Sequence, residues 1–88
     1  MLRITRDDRA LHSTMLRLEG RLTRHEAETL EKACAECIST ERDLVLDLSG
    51  VRYADDVGAA LLRRLRAANA VLSNATPFLS ELLMEEGI

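Results

Sequence analysis

Four groups of side chains in this 88-residue sequence are of types that carry chemistry when suitably arranged. Cys34-Ala35-Glu36-Cys37 has C-x-x-C spacing, which serves either a zinc ion or a dithiol redox pair. Asp47, Asp55 and Asp56 flank a strand-to-helix transition, where clustered carboxylates can hold a magnesium ion. Ser49 and Ser73 fall near strand ends, a suitable place for a nucleophile. Arg63, Arg64 and Arg66 crowd three cations onto one stretch of helix, as a docking patch for a partner would.

The surroundings of these groups favour plainer roles. Zinc needs two further ligands at suitable spacing, yet the two histidines, His12 and His25, fall in different elements. A redox pair belongs at a helix N-terminus, where the dipole lowers the thiol pKa, and these cysteines fall mid-helix on an apolar stripe. Both are therefore read as core residues. No histidine pairs evidently with Ser49 or Ser73, so no nucleophile–base couple is visible and no enzyme is expected. Magnesium prefers one or two carboxylates with waters or phosphates, and no phosphate-cradling glycine loop accompanies these aspartates. Asp47 is expected inside a strand, and one of Asp55 or Asp56 is expected to cap the following helix. No cofactor or metal is implied. The arginine cluster defaults to a solvated face, but with the Asp55-Asp56 turn on the same helix it gives a surface of both signs. Asn74-Ala75-Thr76 matches the glycosylation pattern, without consequence in a cytoplasmic protein.

The elements that position these groups follow from hydrophobic period and capping. Leu2 and Ile4 alternate with polar residues as in an edge strand, and Arg6-Asp7-Asp8-Arg9 reads as a polar turn. A second strand from about His12 to Glu19 puts Thr14, Leu16 and Leu18 on one face and Met15, Arg17 and Glu19 on the other, completing a hairpin that Gly20 closes. Thr23 and Glu26 form a capping box that starts a helix with Ala27, Leu30, Cys34, Cys37 and Ile38 inward, ending near Ser39 or Thr40. Glu28, Glu31, Lys32, Glu36 and Glu41 lie mostly outside.

Leu44 to Leu48 is a near-continuous apolar run suited to a central strand covered on both sides, ending at Ser49-Gly50. The next helix runs from about Val57 to Ala68, with Leu61, Leu62, Leu65 and Ala68 inward and Asn69 as a left-handed stop. Ala70 to Ser73 is a short strand. Thr76-Pro77 opens a last helix with Phe78, Leu79, Leu82 and Leu83 inward and Gly87 as its stop. The order is ββαβαβα, an α/β fold with a mixed sheet and a parallel core, in one domain spanning residues 1–88.

Bulk properties exclude several classes. Apolar residues make up 47% and charged residues 31%, a globular composition. Tyr53 and Phe78 are the only aromatics, so the core must be aliphatic and stacking platforms for single-stranded nucleic acid are lacking. The formal charge of −3 gives no overall attraction to phosphate backbones or anionic membranes. Charge in the first nine residues breaks any signal-peptide core, and no apolar run reaches the length of a membrane span. The expectation is a cytoplasmic protein that neither binds nucleic acid nor inserts into a membrane.

Three stretches resemble the STAS family, named for sulphate transporters and anti-sigma-factor antagonists. Leu16-Arg17-Leu18-Glu19-Gly20-Arg21-Leu22 is similar to the family's second strand, and Leu44-Val45-Leu46-Asp47-Leu48-Ser49-Gly50-Val51 with Tyr53-Ala54-Asp55 to its central strand and loop. Thr76-Pro77-Phe78-Leu79-Ser80-Glu81-Leu82-Leu83 resembles the S-P-F-x-x-x-L-L helix of stand-alone bacterial members. The resemblance implies a STAS-like mixed sheet and a non-catalytic regulatory module that binds proteins. In anti-sigma-factor antagonists the loop reads Asp-Ser-Ser-Gly, and a kinase phosphorylates the hydroxyl residue before the glycine. Aligned on Gly58, that position is Val57, and no serine or threonine occurs between Gly50 and Leu72. Family members also often continue into a further strand, so a sheet ending here leaves an edge open to a homodimer or a partner.

The resulting expectation is a docking module that meets its partner through Tyr53, Asp55, Asp56, Val57 and Gly58, with Arg63, Arg64 and Arg66 as a further face. No phosphorylation is expected at that loop. The implied partner is an anti-sigma factor or kinase-like regulator, or else the ATPase of a lipid-transport ABC complex, whose small STAS subunits the sequence also resembles. Neighbouring genes separate these two. A nucleotide- or lipid-binding carrier is the alternative from another class, testable by thermal shift, since a ligand at 100-fold its dissociation constant adds about 2.7 kcal/mol.

Overall fold

In the computed structural model, which describes residues 2–10, 12–39 and 43–85, alternation along the second strand sets the fold. Thr14, Leu16, Leu18 and Leu22 of β2 (Ser13–Leu22) are all buried, while the residues between them are half-buried or exposed. Strand β1 (Leu2–Ala10) pairs with β2 antiparallel, and β3 (Asp43–Ala54) and β4 (Val71–Ser73) follow in parallel, giving the order β1-β2-β3-β4. Helix α1 (Arg24–Ser39) links β2 to β3, α2 (Asp56–Ala67) links β3 to β4, and α3 (Pro77–Glu85) ends the described chain. The ββαβαβα order and the mixed sheet agree with the sequence.

All three long strands run further than their residue types suggest, β2 passing Gly20 to end at Leu22 rather than at Glu19. Arg6, Asp7, Asp8 and Arg9 are strand rather than turn, with a register irregularity between Asp7 and Ala10. The Asp8 carboxylate accepts from the Thr14 hydroxyl at 2.9 Å and from Arg6 at 3.1 Å, so the polar run is satisfied without leaving the sheet. Charged residues on an edge strand also discourage unwanted pairing. Strand β3 passes Ser49-Gly50 and continues to Ala54, shifting register against β2 twice, between Arg17 and Glu19 and between Gly20 and Arg21. Such bulges allow a strand to continue past residues that usually end one.

The helices form one layer: α2 touches both α1 and α3, and α1 and α2 rest on β2, β3 and β4. Beneath them, Leu16, Leu18, Leu22, Leu30, Leu46, Leu48, Leu61, Leu62 and Leu79 are the heart of an aliphatic core. Each such leucine contributes roughly 1.5–3 kcal/mol by leaving water. The opposite face of the sheet has no helix over it among the described residues. Across it run Met15, Val45 and Val71 as direct cross-strand neighbours, then Arg17, Asp47 and Ser73. Strand β3 is therefore central but covered by helices on one side only, and Val71 is 57% exposed.

Three residues expected inside lie outside. Ile38 is 46% exposed, at the rim of its stripe in the last turn of α1. Ala68 is the exposed C-cap of α2, and Phe78 is 46% exposed because its ring faces Tyr53 rather than the core. Asn69 does take the left-handed conformation, at φ 76°. Glu41 and Gly87, assigned a surface position and a helix stop, lie outside the described residues.

Cys34 and Cys37 are both free and buried on the inner stripe of α1. Burial pushes the Cys34 thiol up to about 12, with smaller contributions from Cys37 and Glu31. A thiol so shifted has almost no thiolate near neutral pH, and the thiolate is the reactive form. Because both cysteines are only 1% exposed, Ellman's reagent at pH 8 should leave Cys34 and Cys37 largely unmodified in the native protein and modify both in guanidinium. Rapid reaction of the native protein would contradict a core role.

Candidate functional site

Asp55 alone separates β3 from α2, and it resolves which aspartate is the cap. Its backbone is extended (φ −85°, ψ −176°), and Oδ1 accepts from the Gly58 N–H at 2.8 Å. The second oxygen, Oδ2, accepts from the Arg24 N–H at the start of α1, at 2.9 Å. The Asp55 N–H donates to the Leu22 carbonyl at 3.2 Å, and its carbonyl accepts from Ala59 at 2.9 Å. One residue thus ties together the starts of two helices and the end of β2. The Gly58 N–H, aided by the Arg24 N–H and charge and by the Val57 N–H, holds the carboxyl below its ordinary value despite some desolvation.

The start of α1 differs in detail from a reciprocal capping box. The Glu26 carboxylate accepts from the Thr23 hydroxyl and backbone N–H, which lowers its pKa. The Thr23 carbonyl accepts from Glu26 and Ala27, while Asp55 serves Arg24. Half the cap is local and half comes from across the fold.

Gly58 is buried in the first turn of α2 because α2 presses onto β2 at this point. A Cβ there would overlap the Leu22 carbonyl oxygen and lie 2.9 Å from Leu22 Cγ. Val57 beside it is half-buried and packs on the core, and Asp56 is exposed. Tyr53, next to last in β3, is 39% exposed and stacks on Phe78, with ring centroids 6.3 Å apart and planes 19° apart. The Arg21 guanidinium lies 5.1 Å from the Tyr53 ring centre, a cation–π contact. Phe78 and Arg21 are members of this cluster that sequence reading does not identify, since nothing in their local pattern marks them.

The three arginines of α2 have different surroundings. Arg63 is half-buried and donates to the Leu82 carbonyl of α3 at 3.1 Å, and Arg64 meets Glu31 of α1 at 3.4 Å. Arg66 is exposed. Two of the three therefore brace neighbouring helices.

Asp47 has separate partners. It accepts from the Ser49 N–H at 3.0 Å and from Asn74 at 3.4 Å, and faces Arg17 at 3.7 Å. The Ser49 N–H and hydroxyl do most to lower its pKa. Asn74 has φ 57°, so Asp47 staples β3 to the turn after β4. No group of three or more His, Cys, Asp or Glu among the described residues is placed to hold a metal ion.

A mixed four-stranded sheet backed by one helical layer, with a carboxylate-capped helix after its central strand, defines a two-layer α/β protein. The chain belongs to the family described as Mlab, STAS domain, whose model matches residues 5–88. Among solved structures it resembles the anti-sigma factor antagonist SpoIIAA in its unphosphorylated form, with TM-score 0.73 and 18% identity over 93% of this chain and 82% of that one. The phosphorylated form of SpoIIAA, a Bacillus cell fate determinant, matches with TM-score 0.71 and 17% identity over 97% and 84%. A structure of Mglu matches at 0.62 and 27% identity over 78% of this chain but 18% of its own length. The SpoIIAA likenesses establish the fold. No curated protein sequence matches significantly.

Two substitutions test the helix junction by urea denaturation. Asp55→Ala should cost about 2 kcal/mol, the upper end for a lost cap, because two helix starts lose their acceptor. The Asp55 pKa lies below its ordinary 3.8 in the folded state, so its stabilisation is complete above that value and is lost as pH falls through the lower folded one. The stability gap to Asp55→Asn should therefore be constant near neutrality and close only in acid. Gly58→Ala should cost about 3 kcal/mol or more through overpacking against backbone. Near-neutral effects for both would show that the junction bears little stability.

Proposed function

We propose that this chain is a non-catalytic, cytoplasmic protein-docking module of the STAS type, of the kind that acts as an anti-sigma-factor antagonist. Its partner meets the start of α2, through Tyr53, Asp56 and Val57, with Asp55 and Gly58 holding that turn in shape. The observation that supports this most is the exposed Tyr53–Phe78 pair. The core is filled by aliphatic side chains, yet both aromatics of the chain lie at the surface beside that helix start. Tyrosine and arginine are enriched where interfaces carry their energy, and Arg21 over the Tyr53 ring completes such a group.

Contact at this surface is independent of phosphorylation at the start of α2. Val57 occupies the position that the family resemblance gives to the phosphate acceptor, and it has no hydroxyl. This favours a second reading of the partner. A kinase that releases its antagonist by phosphorylation gains nothing from a valine, whereas an ATPase subunit of a lipid-transport complex needs only a lasting contact.

Affinity capture with the wild-type protein beside Tyr53→Ala and Phe78→Ala should retain a partner that both variants lose at least tenfold, with native circular dichroism in each case. The retained protein, either a kinase-like regulator or a transporter ATPase, identifies the partner class. Equal capture by wild type and both variants would remove the aromatic pair from the interface. Phosphate found on residues 50–60 after incubation with ATP and the captured partner would overturn the unswitched reading.

A further inference from the structure

A cleft of about 610 Å³ opens at the carboxyl end of the central strands, on the sheet surface rather than at the start of α2. It is lined by Arg3, Glu19, Gly20, Arg21, Ser49, Gly50 and Arg52. Three guanidinium groups and one carboxylate from three adjacent strands give this wall a net charge of +2, on a chain whose overall charge is −3. Among the described residues, neither Arg3 nor Arg52 takes part in an ion pair, although Glu19 stands directly opposite Arg3 in the β1–β2 register. Arg21 lies over the Tyr53 ring, with its guanidinium carbon 5.1 Å from the ring centre.

The backbone is irregular at this place. Both register shifts of β3 against β2 fall here, and they bring Ser49, Gly50 and Arg52 to one cleft where strict alternation would separate them. The cleft floor is also kept bare. Gly20 has φ 109°, a conformation that side chains rarely adopt. At Gly50 a Cβ would lie 2.8 Å from Glu19 Cγ and 3.0 Å from the Leu18 carbonyl oxygen.

We propose that this cleft is an anion site for a phosphomonoester, held by Arg3, Arg21 and Arg52. Guanidinium groups bind the oxygens of phosphate, like those of carboxylate, through paired N–H bonds, so the charge to be balanced separates the two. A phosphomonoester carries about −1.5 to −2 charges near neutral pH, which matches the net +2 of the wall, whereas a lone carboxylate leaves half of it unbalanced. The ester can belong to a free metabolite or to a phosphatidic acid headgroup.

Titration of the full chain with phenyl phosphate, followed by amide NMR, should shift Gly20, Gly50 and Arg52. Co-sedimentation with phosphatidylcholine vesicles containing phosphatidic acid tests the membrane-borne source. Binding of the first probe alone identifies a soluble ester, and binding of the second alone identifies a headgroup. In either case Arg3→Ala with Arg52→Ala should weaken binding at least tenfold without altering thermal stability, and Glu19→Gln should tighten it. Affinity should fall as pH drops below about 6, where the dianion is protonated. Failure of both probes, equal shifts with acetate, or unchanged binding by the double variant would overturn the assignment.

Discussion

The Asp55 carboxylate holds together three elements whose mutual position the rest of the fold requires. One oxygen ends the N-terminus of α2 and the other that of α1, while its backbone N–H reaches the last residue of β2. Helix starts leave N–H groups without partners, and a single anion between two of them satisfies both while meeting the positive ends of both dipoles. The two crossovers of the parallel sheet therefore begin from one point. Gly58 follows from that geometry, since bringing both helix starts to one carboxylate presses α2 onto Leu22 too closely for any side chain.

Among the described residues the helices lie on one side, so the sheet has a dry face and a face that no helix covers. The dry face is mostly leucine, which suits a chain with only two aromatics, as aliphatic side chains interlock in a thin core. The open face is mixed: Met15, Val45 and Val71 make a narrow apolar row beside the Arg17–Asp47 pair and the arginine-lined cleft. Strand edges are managed separately, with charges along β1 and only three residues in β4. Surface chemistry thus concentrates in two places, at the aromatic pair near the start of α2 and at the bulged end of β2 and β3, with Arg21 belonging to both.

Element order and the helix-facing core were legible because each rests on a short-range period. Leu16 and Leu18 alternate, and Cys34 and Cys37 follow a helical stripe, so the burial of all four could be read directly. What was not legible depends on residues distant in sequence. Asp55 and Asp56 are equivalent as caps by local pattern, and Arg24, the partner that separates them, is 31 residues from Asp55. Ser49-Gly50 ends a strand by residue type, but here the glycine exists to admit Glu19, and the strand continues. Phe78 precedes half-buried Leu82 by four residues on the same helical face, yet its ring stacks on Tyr53 at the surface. The arginine cleft has no local signal at all, because its members come from three strands and two bulges.

The same carboxylate bears on why the helix start holds a valine. A phosphate at residue 57 would place a further −1.5 to −2 charges, roughly, beside Asp55 and Asp56. The Gly58 and Arg24 N–H groups at this junction already donate to Asp55. With those donors occupied, a phosphate there would stand beside two carboxylates. Val57 instead packs against the core, adding apolar contact to the junction that Asp55 holds. A helix start built in this way is suited to one fixed shape.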